Sequence, residues 1–207
     1  MEKRLVSCSK NLIDESRETW YLVTFLLDHN DKQSQLISRA FNNDTRFTTA
    51  RDQAFVALLN DPSIFEKEGK CPEILANHID ALFRKKALSK KFSQEEIEKR
   101  LTGLLTILKY INAKDIFMRH YKLHLTRRLV LNMSADEVSV FFENYIWRII
   151  QEEEQRYIEM LRNIGMPSDS VNKLTRMFQD IKISVDFNQE VQEELGSDLL
   201  NVKVSLI

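Results

Sequence analysis

Between Phe92 and Ile111, six apolar residues (Ile97, Leu101, Leu104, Leu105, Leu108 and Ile111) recur at i, i+4, i+7, i+8, i+11 and i+14. That spacing is one stripe of a 3.6-residue helix and does not fit the period of two that a half-buried strand requires. The start of the helix is marked too. Ser93 and Glu96 form an S-x-x-E capping box, in which each side chain can accept from a backbone N–H that the first turn leaves unbonded. Phe92 and Ile97 then stand at the staple positions on either side of the cap. The same arrangement recurs over Met133-Ser134-Ala135-Asp136-Glu137-Val138. Two helix starts of this kind point to an all-α chain.

Composition agrees for a physical reason. Only four glycines and three prolines occur in 207 residues, where average usage would supply about twenty-five. An all-β sandwich needs a turn roughly every 8–12 residues, and this chain lacks the residues to make them. The glycines, Gly69, Gly103, Gly165 and Gly196, are never neighbours, so no glycine-rich phosphate loop exists. Further helical faces are legible along the chain. Ile74, Leu75, His78, Ile79, Leu82 and Phe83 follow Pro72, which suits a first helical position. Ile116, Phe117, His120, Tyr121, Leu125, Leu129 and Val130 form a second face, and Val171, Leu174, Phe178 and Ile181 a third, after Pro167-Ser168-Asp169. Three shorter helices are expected near Ser16–Leu27, Gln33–Phe41 and Thr48–Asn60. The Pro62–Lys70 stretch then forms a boundary. At the far end Val202, Val204 and Leu206 alternate with polar residues, which predicts one lone strand.

Thirty basic and thirty-one acidic side chains nearly cancel, whereas nucleic-acid binders usually carry a basic excess to neutralise phosphates. Cys8 and Cys71 lie far apart with no CxxC spacing, as suits a reducing compartment. The N-terminus has no apolar run of the secretory kind. The apolar stretches around Trp20–Leu27 and Val138–Ile150 fall short of the roughly 20 residues that span a bilayer. A cytoplasmic or nuclear protein is expected.

Several constellations could carry chemistry. His120 and His124 stand at i and i+4, the spacing of a helical zinc site, but Tyr121 occupies the place of a metalloprotease glutamate and no third ligand is visible. A metal-dependent helical enzyme is therefore one alternative; the plainer expectation is a packed His120 and a partly exposed His124. Arg84-Lys85-Lys86 with Lys90-Lys91, and Arg127-Arg128, are basic clusters that could meet nucleic acid, or be solvated helix ends. Glu152-Glu153-Glu154 and the acids of Glu95–Glu98 are expected to face solvent. Cys71 has no activating context. No catalytic, cofactor-binding or metal residue is assigned.

Four segments together resemble the cullin family. They are Thr45-Arg46-Phe47-Thr48-Thr49-Ala50-Arg51-Asp52; Cys71-Pro72-Glu73-Ile74-Leu75-Ala76-Asn77 with Asp80 and Leu82-Phe83-Arg84-Lys85; Ala113 to Leu129; and Ile164 to Ser184, with Gly165-Met166-Pro167, Lys173-Leu174 and Met177-Phe178-Gln179-Asp180-Ile181. In wording they are most similar to the elongin-BC-binding branch. The resemblance implies a scaffold subunit of a multi-subunit RING ubiquitin ligase, with no catalytic residue and no cofactor. It implies a RING-box protein, an elongin-BC-type adaptor and a substrate receptor as partners of the full-length protein. It also implies an elongated helical repeat end over residues 1–66, a four-helix bundle over 71–190, and the start of a truncated α/β region over 191–207. Phe117, Tyr121, Leu101, Leu104, Leu108, Leu174 and Phe178 are the expected core.

The chain departs from the family pattern in three ways. The first repeats, with the adaptor surface, have no counterpart here. Most of the α/β region, with its RING-docking sheet and modified lysine, is likewise missing. The third departure is Val138–Glu152, which matches nothing in the pattern; within a helix it would add about 20 Å at about 1.5 Å per residue.

Overall fold

A computed structural model describes residues 16–65, 67, 69–88, 94–133 and 140–195. Among them the chain forms eight helices: α1 (Ser16–Phe41), α2 (Thr45–Leu59), α3 (Pro62–Phe65), α4 (Lys70–Leu88), α5 (Gln94–Leu108), α6 (Lys114–Met133), α7 (Val140–Asn163) and α8 (Ser168–Leu195). No strand occurs among the described residues. Ser93, the cap at Ser134 and the expected strand at Val202–Leu206 lie outside them. By packing, the chain divides into two compact units, residues 1–128 and 129–207.

In the first unit, α1 packs against α2, α4 and α5, and α4 packs along α5. The two helices expected within residues 16–41 are one. The polar run Asp28-His29-Asn30-Asp31 does not break α1, because no Gly or Pro interrupts it and its members find partners one turn away. Ser34 Oγ donates to the Asn30 carbonyl at 2.8 Å, and His29 Nε2 lies 3.3 Å from Gln33 Nε2. The half-buried His29 ring also lies beside Phe25 and Phe55, covering the edge of the core. Helix α2 begins at Thr45, three residues earlier than its apolar pattern suggests. The Asp44 side chain caps it by accepting from the Arg46 N–H at 2.9 Å. The α1–α2 turn is tight enough to hold Asn42 and Asn43 at positive φ, which asparagine tolerates better than most residues.

Residues 62–70 form a joint in the chain but not a break in its packing, since α1 spans the segments on both sides. Pro72 is not the first residue of α4; Lys70 is. A proline is still acceptable there, because the first-turn N–H groups have no intrahelical acceptor. Gly69 leads into the helix at φ +89°, and its carbonyl accepts from the Glu73 N–H at 3.2 Å. A Cβ at Gly69 would lie 2.8 Å from Ile116 Cδ1. Gly69→Ala therefore suffers both backbone strain and a clash, and is expected to lose about 1–3 kcal/mol. Thermal unfolding measures this loss, and adding Ile116→Val should recover the part due to the clash.

Helices α5 and α6 are joined by a short turn that α2 grips. Asn60 Nδ2 donates to the Tyr110 carbonyl and the Asn112 N–H donates to Asn60 Oδ1, both at 2.8 Å. The Tyr110 hydroxyl donates to Asp52 Oδ1 at 2.7 Å, while burial and that carboxylate push the phenol up to about 12. These bonds explain how a connection so poor in Gly and Pro holds its course. Gly103, the one glycine inside a helix among the described residues, marks a close helix crossing, since a Cβ there would lie 2.8 Å from Leu27 Cδ2.

In the second unit, α7 and α8 pack together through Tyr157, Ile158, Leu161, Val171, Leu174, Phe178 and Ile181, all buried. Gly165, at φ +81°, ends the first of them. The Met166 N–H donates back to the Leu161 carbonyl at 3.2 Å, closing the last turn. The segment without a counterpart in the family pattern is helical from Val140 onward and runs unbroken into the rest of α7. All seven expected core residues are buried.

Candidate functional site

The densest group of charges among the described residues is buried in the first unit, between α4 and α6. On α4, Asn77, Asp80 and Arg84 follow one another at spacings of three and four, so they share a face. On α6, His124 and Arg128 stand four apart and meet that face. Asp80 is 2% exposed and accepts from both Arg84 and Arg128. Arg128 is itself buried, with its guanidinium 5.1 Å from the Phe83 ring centroid and 5.8 Å from that of Tyr121. His124 Nε2 lies 2.7 Å from Asn77 Oδ1, and its Nδ1 lies 3.4 Å from Asp80 Oδ2. Burial, more than any charge, holds the His124 imidazole below its usual range; Asp80 pulls the other way, against Arg128, Arg127 and Arg84.

This arrangement corrects several expectations from the sequence. His124 is the buried histidine and His120 the half-exposed one, the reverse of the plainer expectation. Position 124 lies on the same α6 face as Phe117, Tyr121 and Arg128, whereas 120 sits at its edge. Arg128 does not belong to a solvated basic cluster, because it is spent on Asp80; Arg127 beside it is exposed. Arg84 is also tied to Asp80, with its side chain 62% exposed, and the lysines that follow lie beyond the described side chains. Glu154 is buried rather than solvent-facing, since it shares a helix face with Tyr157, Ile158 and Leu161, while Glu152 is exposed. Cys71 is buried, and desolvation pushes its thiol up to about 12, so at neutral pH it is no nucleophile.

No group of three His, Cys, Asp or Glu side chains suited to a metal occurs among the described residues. His124 turns its nitrogens toward Asn77 and Asp80, not toward His120. Chemically, the cluster can clamp two helices together; nothing in it presents a nucleophile beside a base. The sequence did not show Asp80 as the hub, although Asp80 and Arg84 at i, i+4 was a readable signal. Its partners on α6 are 44 and 48 positions away, and only folding brings them close.

Among the described residues the chain is helical, and its most elaborate polar site is an internal clamp. Comparison with known proteins makes the class specific. The family model for the cullin alpha solenoid domain matches residues 2–188. Cullin-5 of Caenorhabditis elegans is 43% identical over 194 residues, covering 84% of this chain and 24% of that protein. Cullin-5 of Dictyostelium discoideum is 32% identical over 202 residues, covering 96% of this chain and 25% of its own length. Cullin-4A of Homo sapiens is 26% identical over 190 residues, covering 90% and 22% respectively. The chain belongs to the cullin family, and it spans about a quarter of the length of these curated relatives. No helix among the described residues is long and apolar enough to cross a membrane.

Proposed function

We propose that this chain is a non-catalytic scaffold segment of a cullin-RING ubiquitin ligase, acting in ubiquitin-dependent protein degradation in the cytoplasm or nucleus. The observation that carries the reading is the Asp80 clamp. It fastens together two of the segments by which the sequence resembles the family, the one around Asn77–Arg84 and the one around Lys114–Leu129. A stiff spacer needs helices that cannot slide past one another, and a buried charge hub with fixed partners opposes sliding. Such a spacer helps transfer by holding donor and substrate at a set separation, which is a proximity effect and asks for no side-chain chemistry.

On this reading residues 1–66 are the end of a cullin repeat, 71–190 the four-helix bundle and 191–207 the start of an α/β region. The partners are a RING-box protein, an elongin-BC-type adaptor and a substrate receptor, engaged by the full-length protein. Co-purification of that product with a RING-box protein, followed by a ubiquitin-transfer assay, tests the assignment. Capture and transfer are expected; failure of both would sink it. The 207 residues alone are expected to bind a RING-box protein weakly or not at all, and tight stoichiometric binding would show the interface to be misplaced.

A further inference from the structure

We propose that His124 makes the α4–α6 joint acid-sensitive, holding it closed as a neutral ring and loosening it when protonated. The inference stands on the geometry of the joint and does not depend on which partners the scaffold holds. His124 is 8% exposed and lodged between Asn77 and Asp80. From α4 it faces Asn77, Asp80 and Arg84. From its own helix it is flanked by Arg127 and Arg128, with His120 one turn away. Asp80 is the one carboxylate in this set, and it already accepts from two guanidiniums. A proton on His124 adds a further cation beside Arg84, Arg127 and Arg128.

A neutral ring fits the site without that cost. Its Nδ1–H can point at Asp80 Oδ2. Its Nε2 can then accept from the Asn77 amide, whose oxygen and nitrogen exchange places by a half-turn. The sign of the linkage follows. A histidine whose folded-state value lies below its unfolded value of about 6.5 stabilises the fold fully above that pH. This contribution is lost as pH falls from about 6.5 through the lower folded-state value, because the unfolded chain takes up the proton more readily.

Proton NMR of the folded chain should place the His124 titration below about 6.5. Thermal unfolding between pH 7.5 and 5.5 should show a midpoint that falls with acid, by about 3–5 °C for each tenfold difference in proton affinity between the unfolded and folded chains. His124→Gln, which keeps a polar group for Asn77 but cannot take up a proton, should remove most of the part due to this site. His29, also depressed by its burial and by Lys32, titrates in both chains and cancels in the comparison. Amide exchange over Asn77–Arg84 should quicken at pH 5.5 in the natural chain relative to α8. His124 titrating at or above 6.5 would overturn the proposal. So would an equal fall in the midpoint with and without the histidine. Should His124→Gln fail to fold, the titration and the exchange comparison in the natural chain decide the matter alone.

Discussion

Asp80→Ala is expected to cost about 3–5 kcal/mol, enough to unfold a marginal domain. The magnitude comes from what the substitution leaves behind. Arg128 is 7% exposed and would keep its charge after losing its ion pair with the Asp80 carboxylate. The Phe83 and Tyr121 rings offer some cation–π attraction, but about 0.5–2 kcal/mol from such contacts does not replace an ion pair out of water. Arg84 matters less, because its exposed side chain can return to solvent. Chemical unfolding followed by circular dichroism measures the loss. A second chain, Asp80→Leu with Arg128→Met, removes both charges while roughly keeping volume, and is expected to lose much less than Asp80→Ala. A double substitution as damaging as the single one would show that the two residues do not act as a coupled pair.

Phe117→Ala is expected to cost about 3–5 kcal/mol by a different route. The ring is fully buried and lies 5.9 Å from that of Tyr121, so truncation leaves a cavity beside another core aromatic. Leu123→Ala on the same helix provides the contrast. Leu123 is 48% exposed, and its loss should stay within about 0.5 kcal/mol. Burial decides between the two, since both are large apolar residues on one helix. Equal losses from the two substitutions would mean that α6 is turned differently about its axis.

Much of the fold was legible because helix formation is largely local. The stripe from Ile97 to Ile111, the face from Ile116 to Val130 and the repeat of Val171, Leu174, Phe178 and Ile181 each state a period within a few turns. Every one of those residues whose side chain is described, apart from His120 and Ile116 at the edge of α6, is buried. The misreadings arose where a polar residue met a neighbour the sequence could not place. Asp28–Asp31 read as a break between two helices because polar residues usually face water, yet Asn30 is buried and His29 half-buried. Glu154 read as a solvated charge for the same reason.

The candidate site was far less legible than the helices. Asp80 and Arg84 lie one turn apart and suggest an ordinary surface pair, while Arg127-Arg128 suggests an ordinary basic cluster. Folding puts Arg128 inside and Arg127 outside, because successive residues on a helix point about 100° apart. It also turns His124 rather than His120 toward α4, so the two imidazoles have different surroundings.

By itself, then, the sequence determined that the chain is helical, which faces are apolar and which family it resembles, since period, caps and motif order are properties of neighbours along the chain. Tertiary structure alone decided that Asp80 is the hub of a buried joint. The energy of a charge depends on what surrounds it in three dimensions, and two residues 48 positions apart become partners only when their helices pack.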